Sequence, residues 1–173
     1  MTKEIQTLFE RADKIVRKRC LKTHFAIVRY DLFLEMAIKF ATTHDANAEI
    51  VKAAVPLTLL KEKKAEKLIK RAGLEPNIRD TIRMAKNATA APTHEIKESI
   101  VIANANGYSN VHPAGVFIWL TLFDGKTAAD FETFLNEVET WLEKNFNAIT
   151  FNEVKLELDG NFEAVKRLIR AAF

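Results

Sequence analysis

Thiol chemistry is almost missing from this chain: Cys20 is its one cysteine, so no internal disulfide can form and no CxxC or Cys/His cluster exists to hold zinc. Glycine is scarce, five residues in 173, and none belongs to a glycine-rich phosphate loop or a GxSxG nucleophile turn. No Ser/Gly/Pro-rich stretch divides the chain and no period repeats, which predicts a single domain over residues 1–173. The longest apolar run, AGVFIWLTLF, is far too short for a membrane span. The N-terminal stretch MTKEIQTLFERADK is amphipathic instead of basic and then apolar, so it does not read as a secretory signal. Neither sign of charge dominates, because a net charge of +3 implies no nucleic-acid or acidic-membrane partner by itself. These absences lead us to expect a soluble cytoplasmic protein.

What is present is helical periodicity almost everywhere, with apolar residues three and four apart. Residues 3–20 align Ile5, Leu8, Phe9, Ala12, Ile15 and Val16 on one stripe. Residues 25–41 do the same with Phe25, Val28, Phe33, Met36, Ala37 and Phe40. Asp45 suits the N-cap of a third helix reaching about Leu60, Gly73 closes a short Lys-rich fourth, and Pro76 opens a fifth. Thr93 suits the cap of the helix carrying IVIANANGYSNVHPAG, where Asn104 and Asn106 precede what reads as a tight turn at Gly107. Pro113 begins the next helix, which Asp124-Gly125 should stop. Residues 127–145 turn Phe131, Phe134, Leu135, Val138, Trp141 and Leu142 inward. Only ITFNEVKLELDGN, residues 149–161, is ambiguous. Its Val154, Leu156 and Leu158 alternate as in a strand and Asp159-Gly160 resembles a turn, yet a lone strand cannot satisfy its backbone, so a helix or extended arm is expected. The expected class is an all-α, compact multi-helix bundle.

The order of pieces resembles a known family. RYDLFLEMAIKFA, residues 29–41, then an Asp-Ala-Asn loop and ANAEIVKAAVPLTLLKEK, look like the first two core helices of the HD superfamily of metal-dependent phosphohydrolases. That family shows H-x-x-R-V-x-x-x-A-x-x-I-A, then E-V-x-x-A-A-L-L-H-D-I-G, then K-I-V-x-D-A-D-x-L. Val101 and Ile102 hold apolar positions of the third pattern, and Asn104 and Asn106 its two aspartates. FLNEVETWLEKNFNAITF and NFEAVKRLI are similar to the C-terminal helices. The resemblance covers most of the chain after about residue 20 and rests on apolar pattern and order, not on identities.

Carried over residue by residue, the resemblance implies a degenerate active site. The family's first histidine falls on Arg29, its His-Asp pair on Thr58 and Leu59, and its later aspartates on Asn104 and Asn106. Its further histidines would lie near Met84 to Ala88. Phosphohydrolysis of that kind needs imidazole and carboxylate ligands around a divalent ion that acidifies a bound water, and a carboxamide brings no charge to that task. The implied protein is a pseudoenzyme with no metal or cofactor. Its relic pocket, Arg29, Thr58, Asn104 and Asn106, would hold a small anion, the guanidinium standing in for the ion. The competing expectation is a closed relic, with Arg29 turned outward or paired with Asp31 or Glu35.

Other residues carry alternatives. An active phosphohydrolase would need a rearranged ligand set drawn from His24, His44, Asp45, His94 and His112. Against it, Thr-Thr-His-Asp-Ala-Asn precedes a helix, where Asp45 serves as a cap. The stretch KEKKAEKLIKR places Lys63, Lys67 and Lys70 at helical spacing, and RKRCLK adds a basic cluster; together they would suit a nucleic-acid backbone. No aromatic residue is interleaved for base stacking, so a solvated face is expected. Arg17, Lys18, Arg19 and Lys22 around Cys20 would lower its pKa, but no base is placed beside it. Phe117, Trp119, Phe123, Phe131, Phe134, Trp141 and Phe146 are expected to pack the core, and any left exposed would form a partner or homo-oligomer surface. The leading expectation is a non-catalytic binding or regulatory module acting through a protein partner or a small anionic or phosphorylated ligand.

Overall fold

The computed structural model describes residues 2–20, 24–89, 96–121, 123–125 and 127–171. They form α1 (Lys3–Cys20), α2 (His24–Thr43), α3 (Ala48–Thr58), α4 (Glu62–Arg71), α5 (Pro76–Lys86), α6 (Lys97–Val111), α7 (Pro113–Leu120), α8 (Ala128–Ala148) and α9 (Asn152–Arg170). No strand occurs among the described residues, so the bundle is all-α as expected. No helix among them is long and apolar enough to cross a membrane.

The helix ends follow local chemistry. Pro76 and Pro113 stand in the first turns of α5 and α7, where a missing N–H costs nothing. Gly73 follows α4 with φ +69°, a left-handed conformation that a Cβ disfavours. Thr127 and Asp130 form a reciprocal capping box on α8. The cap of α3 is Asn47, whose Oδ1 accepts from Glu49 N (3.1 Å) and Ile50 N (3.2 Å). Asp45 is not the cap: it lies two residues further out with φ 54°, exposed, and pairs with Lys97 Nζ at 2.8 Å. Thr93 lies outside the described residues, and Ile96 occupies the position preceding α6.

α6 is the axis of the bundle. It packs against α2, α3, α5, α7, α8 and α9, and Ser99, Val101, Ile102, Asn104, Ala105 and Gly107 to Val111 are all buried. There is no turn at Gly107; the helix continues one further turn to Val111. Gly107 is required for proximity instead, since a Cβ there would stand 2.7 Å from Ile149 Cγ1 and 3.1 Å from the Asn145 carbonyl oxygen. Gly115 serves α7 in the same way, against the Ser109 and Asn110 carbonyls at the end of α6. The core also includes the expected stripes of the first two helices: Ile5, Leu8, Ala12 and Val16 of α1 and Phe33, Met36, Ala37 and Phe40 of α2 are buried.

Residues 152–161 are helical, part of α9, including the Asp159-Gly160 pair that resembles a turn. Val154 and Leu158 are buried one helical turn apart while Leu156 is 79% exposed, so period 3.6 overrides the apparent alternation. α9 is held on α8 by Phe146 stacked on Phe162 (4.1 Å, 9°) and by Lys166 paired with Glu143. The late aromatic residues pack less deeply than expected. Leu135, Val138 and Leu142 are buried, whereas Phe117 and Phe131 are 49% and 39% exposed.

The two kinds of helical glycine give opposite predictions. Gly115→Ala and Gly107→Ala force helices apart and should each lower stability in urea denaturation by about 1–3 kcal/mol, as overpacking does. Gly160→Ala, where nothing lies within 4 Å of an added Cβ, should raise it by about 0.5–1 kcal/mol through helix propensity alone.

Candidate functional site

Arg29 lies in the first half of α2, on the side facing α6. Its Nε donates to Asn110 Oδ1 (2.7 Å) and its Nη2 to Asn106 Oδ1 (3.0 Å). Asn106 and Asn110 are one helical turn apart, so both carboxamides present on the same face of α6. Asn110 then donates to Asn145 Oδ1 of α8 (2.6 Å), and Asn145 Nδ2 donates to the Trp141 carbonyl (2.7 Å). Four polar groups on three helices are thereby ordered in one chain.

This chain lines a cavity of about 420 Å³, walled also by Thr89, Gly115, Ile118, Trp119, Trp141 and Lys144. No carboxylate forms an ion pair with Arg29 among the described residues, and none lines the cavity. Asp31, a candidate partner by sequence, is taken by Arg17 Nη2 at 2.8 Å. Burial brings the Arg29 pKa down to about 10, because a charge loses solvation there; the side chain is still a cation at neutral pH. Arg29 Nη1 and Asn106 Nδ2 engage no partner among the described residues and are not enclosed. With the exposed Lys144 also lining it, the cavity offers several donors and a net positive field.

The other relic positions are elsewhere. Asn104 is buried, and its carboxamide is fully used: Nδ2 donates to the Ile100 carbonyl (2.8 Å) and Thr150 Oγ1 (2.9 Å), while Oδ1 accepts from Thr150 N (2.7 Å) and Phe151 N (2.9 Å). It clamps the connection between α8 and α9 and does not line the cavity. Thr58 also stands outside it, its hydroxyl donating to the Val55 carbonyl of its own helix (2.8 Å). Leu59 lines a smaller cavity of about 180 Å³ behind Arg29, together with Cys20. There burial pushes the Cys20 thiol up, outweighing the opposite pull of Arg29 and Arg17, so the expected lowering by neighbouring cations does not occur; Lys22 is outside the described residues.

The rearranged metal set is not assembled. His24 and His44 stand at opposite ends of α2, about 30 Å apart at 1.5 Å per residue. His44 stacks on Phe151 (3.7 Å, 14°), with Nε2 3.0 Å from Glu153 Oε1 but off the line a hydrogen bond needs. Asp45 is tied to Lys97, and His94 lies outside the described residues. Among the described residues no three His, Cys, Asp or Glu side chains come together as metal ligands. His112 caps α7, its Nδ1 accepting from Ala114 N at 3.3 Å.

Lys63, Lys67 and Lys70 are exposed on α4, beside Glu62 and Glu66 in one shallow groove that also includes Arg71 and no aromatic residue. The two acids bind the buried Lys86 of α5, Glu62 at 2.8 Å and Glu66 at 3.7 Å, so the basic face is broken by carboxylates. A separate cavity of about 420 Å³ between α7, α8 and α9 is almost wholly apolar, with Phe117, Leu120, Phe131 and Leu168 on it.

Asn104→Leu leaves the Thr150 and Phe151 amides unpaired and should cost roughly 2–4 kcal/mol in urea denaturation, with Asn106→Ala costing less because Asn106 is only half-buried. Burial holds the His112 imidazole below its ordinary value of 6.5, so the unfolded chain binds more protons and the cap's contribution is lost as pH falls through the ordinary histidine range. The melting temperature should drop between about pH 7.5 and about pH 5.5 more steeply than in His112→Asn, whose neutral side chain caps at both; parallel curves would show no such linkage. No family model, curated protein or solved structure matches this chain.

Proposed function

We propose that this protein is a non-catalytic binding module whose pocket, at Arg29, takes a small anion. One observation carries the reading: the Arg29 cation faces a cavity, is solvated by two carboxamide oxygens and is neutralised by no carboxylate among the described residues. Burying a charge is costly. An anion entering the cavity regains part of that cost, and a site already ordered by Asn106, Asn110 and Asn145 pays little reorganisation to receive it.

The resemblance to the HD superfamily supports the same reading. It assigns Arg29 and Asn106 to ligand positions of a metal site, and here a permanent cation occupies one of them while a carboxamide fills the other. Of the four pocket residues the resemblance implies, Arg29 and Asn106 share the cavity and Asn104 and Thr58 do not. Asn110, Lys144 and Asn145 take their places as lining residues. A second reading, contact with a protein partner or another copy of this chain, is favoured by the exposed Phe117, Leu120, Phe131 and Leu168, as large exposed apolar patches usually mark interfaces.

Calorimetry with inorganic phosphate and pyrophosphate tests the first reading. Saturable binding should appear in the presence of chelator, Arg29→Gln should weaken it by at least tenfold, and Lys144→Ala by a few-fold. Binding that requires a divalent ion, or that survives Arg29→Gln, would overturn it. For the second, sedimentation velocity should detect concentration-dependent association that Leu168→Glu abolishes.

A further inference from the structure

The residues lining the cavity beside Arg29 are of two unlike kinds. One is cationic and polar, comprising Arg29, Asn106 and Lys144. The other is aromatic: Trp119 of α7 and Trp141 of α8 meet at 5.2 Å with planes 53° apart. Both are only partly buried, and they are the two tryptophans of the entire chain. Indole faces attract flat rings and cations alike. A cation is excluded here by Arg29 and Lys144 in the same space, which leaves a ring on a ligand that is negative overall.

The guanidinium geometry defines the anionic end. Asn110 and Asn106 occupy the Nε and Nη2 side of Arg29. Nη1 and one Nη2 hydrogen are left without a partner among the described residues, donors that two oxygens of a carboxylate or phosphate can engage. The volume of about 420 Å³ is near the lower end for ligand pockets and suits one ring system with one charged group, not a polymer.

We infer that the cavity receives a small planar-ringed oxyanion, an aromatic carboxylate or an aryl phosphate, with its oxygens on Arg29 and Lys144 and its ring against Trp119 and Trp141. This rests on the anion-binding reading above and adds the ring.

Matched pairs test it on the unaltered protein: phenyl phosphate against methyl phosphate, and phenylacetate against acetate, by calorimetry, with tryptophan fluorescence reporting this one cavity. The ringed member of at least one pair should bind at least tenfold tighter than its partner and alter the fluorescence, and which pair responds identifies phosphate or carboxylate as the anionic group. Trp141→Leu should erase that preference while retaining affinity for the ringless anion, with circular dichroism checking the fold and Trp141→Phe restoring the preference. Equal binding of ringed and ringless anions would overturn the ring's role and leave the anion reading standing. Absence of binding by any of the four would overturn both.

Discussion

Burying a helix rich in carboxamides and hydroxyls is the constraint on which the remainder of the molecule is built. α6 is enclosed by six other helices, so Ser99, Asn104, Ser109 and Asn110 lose water. Each would cost on the order of 1–3 kcal/mol if left without a partner. Asn104 answers by binding the start of the α8–α9 connection, which fixes where α9 returns to the bundle. Asn110 answers by joining Arg29 of α2 to Asn145 of α8. Polar satisfaction therefore determines helix placement, and the glycines at 107 and 115 make the close approaches possible.

The same solution shapes the candidate site. A carboxylate beside Arg29 would have formed an ion pair and cancelled the field in the cavity. Carboxamide oxygens accept the same N–H groups without cancelling the charge. Solvation and neutralisation are thus separated: the guanidinium is held in place while its charge is left uncancelled. That separation explains how a largely buried arginine persists at neutral pH, and the two-residue spacing of Asn104 and Asn106, which turns them to different faces of α6, explains why they have different work. Asn104 is consumed by the fold, and Asn106 by the cation.

Much of the architecture was legible in the chain. Apolar spacing placed the helices, and Pro76, Pro113 and Gly73 marked ends where backbone chemistry leaves few choices. The errors share a cause, which is local residue type read without its neighbours. Asp45 resembles a cap, but Asn47 is closer to the first free amides and displaces it. Gly107 resembles a turn because glycine's conformational freedom is visible in sequence whereas its small size, needed at 107 against Ile149, is not; through Asp159-Gly160, where a helix or extended arm was expected, the chain is helical. The assumed turn at Gly107 also concealed Asn110, which a continuous helix would have set on the same face as Asn106. Lys144 and Asn145 had no signal, since their role depends on how α8 lies across α6.

The sequence by itself determined that the chain forms helices, because helical periodicity and end signals are local properties that act over a few residues. It also determined that Arg29 and the asparagines of α6 were the polar residues to watch. Only tertiary structure decided which of them meet. The chemistry of a guanidinium depends on whether its nearest neighbour is Asp31, two residues away in sequence, or Asn106 and Asn110, about 80 residues away, and that choice is made by helix packing.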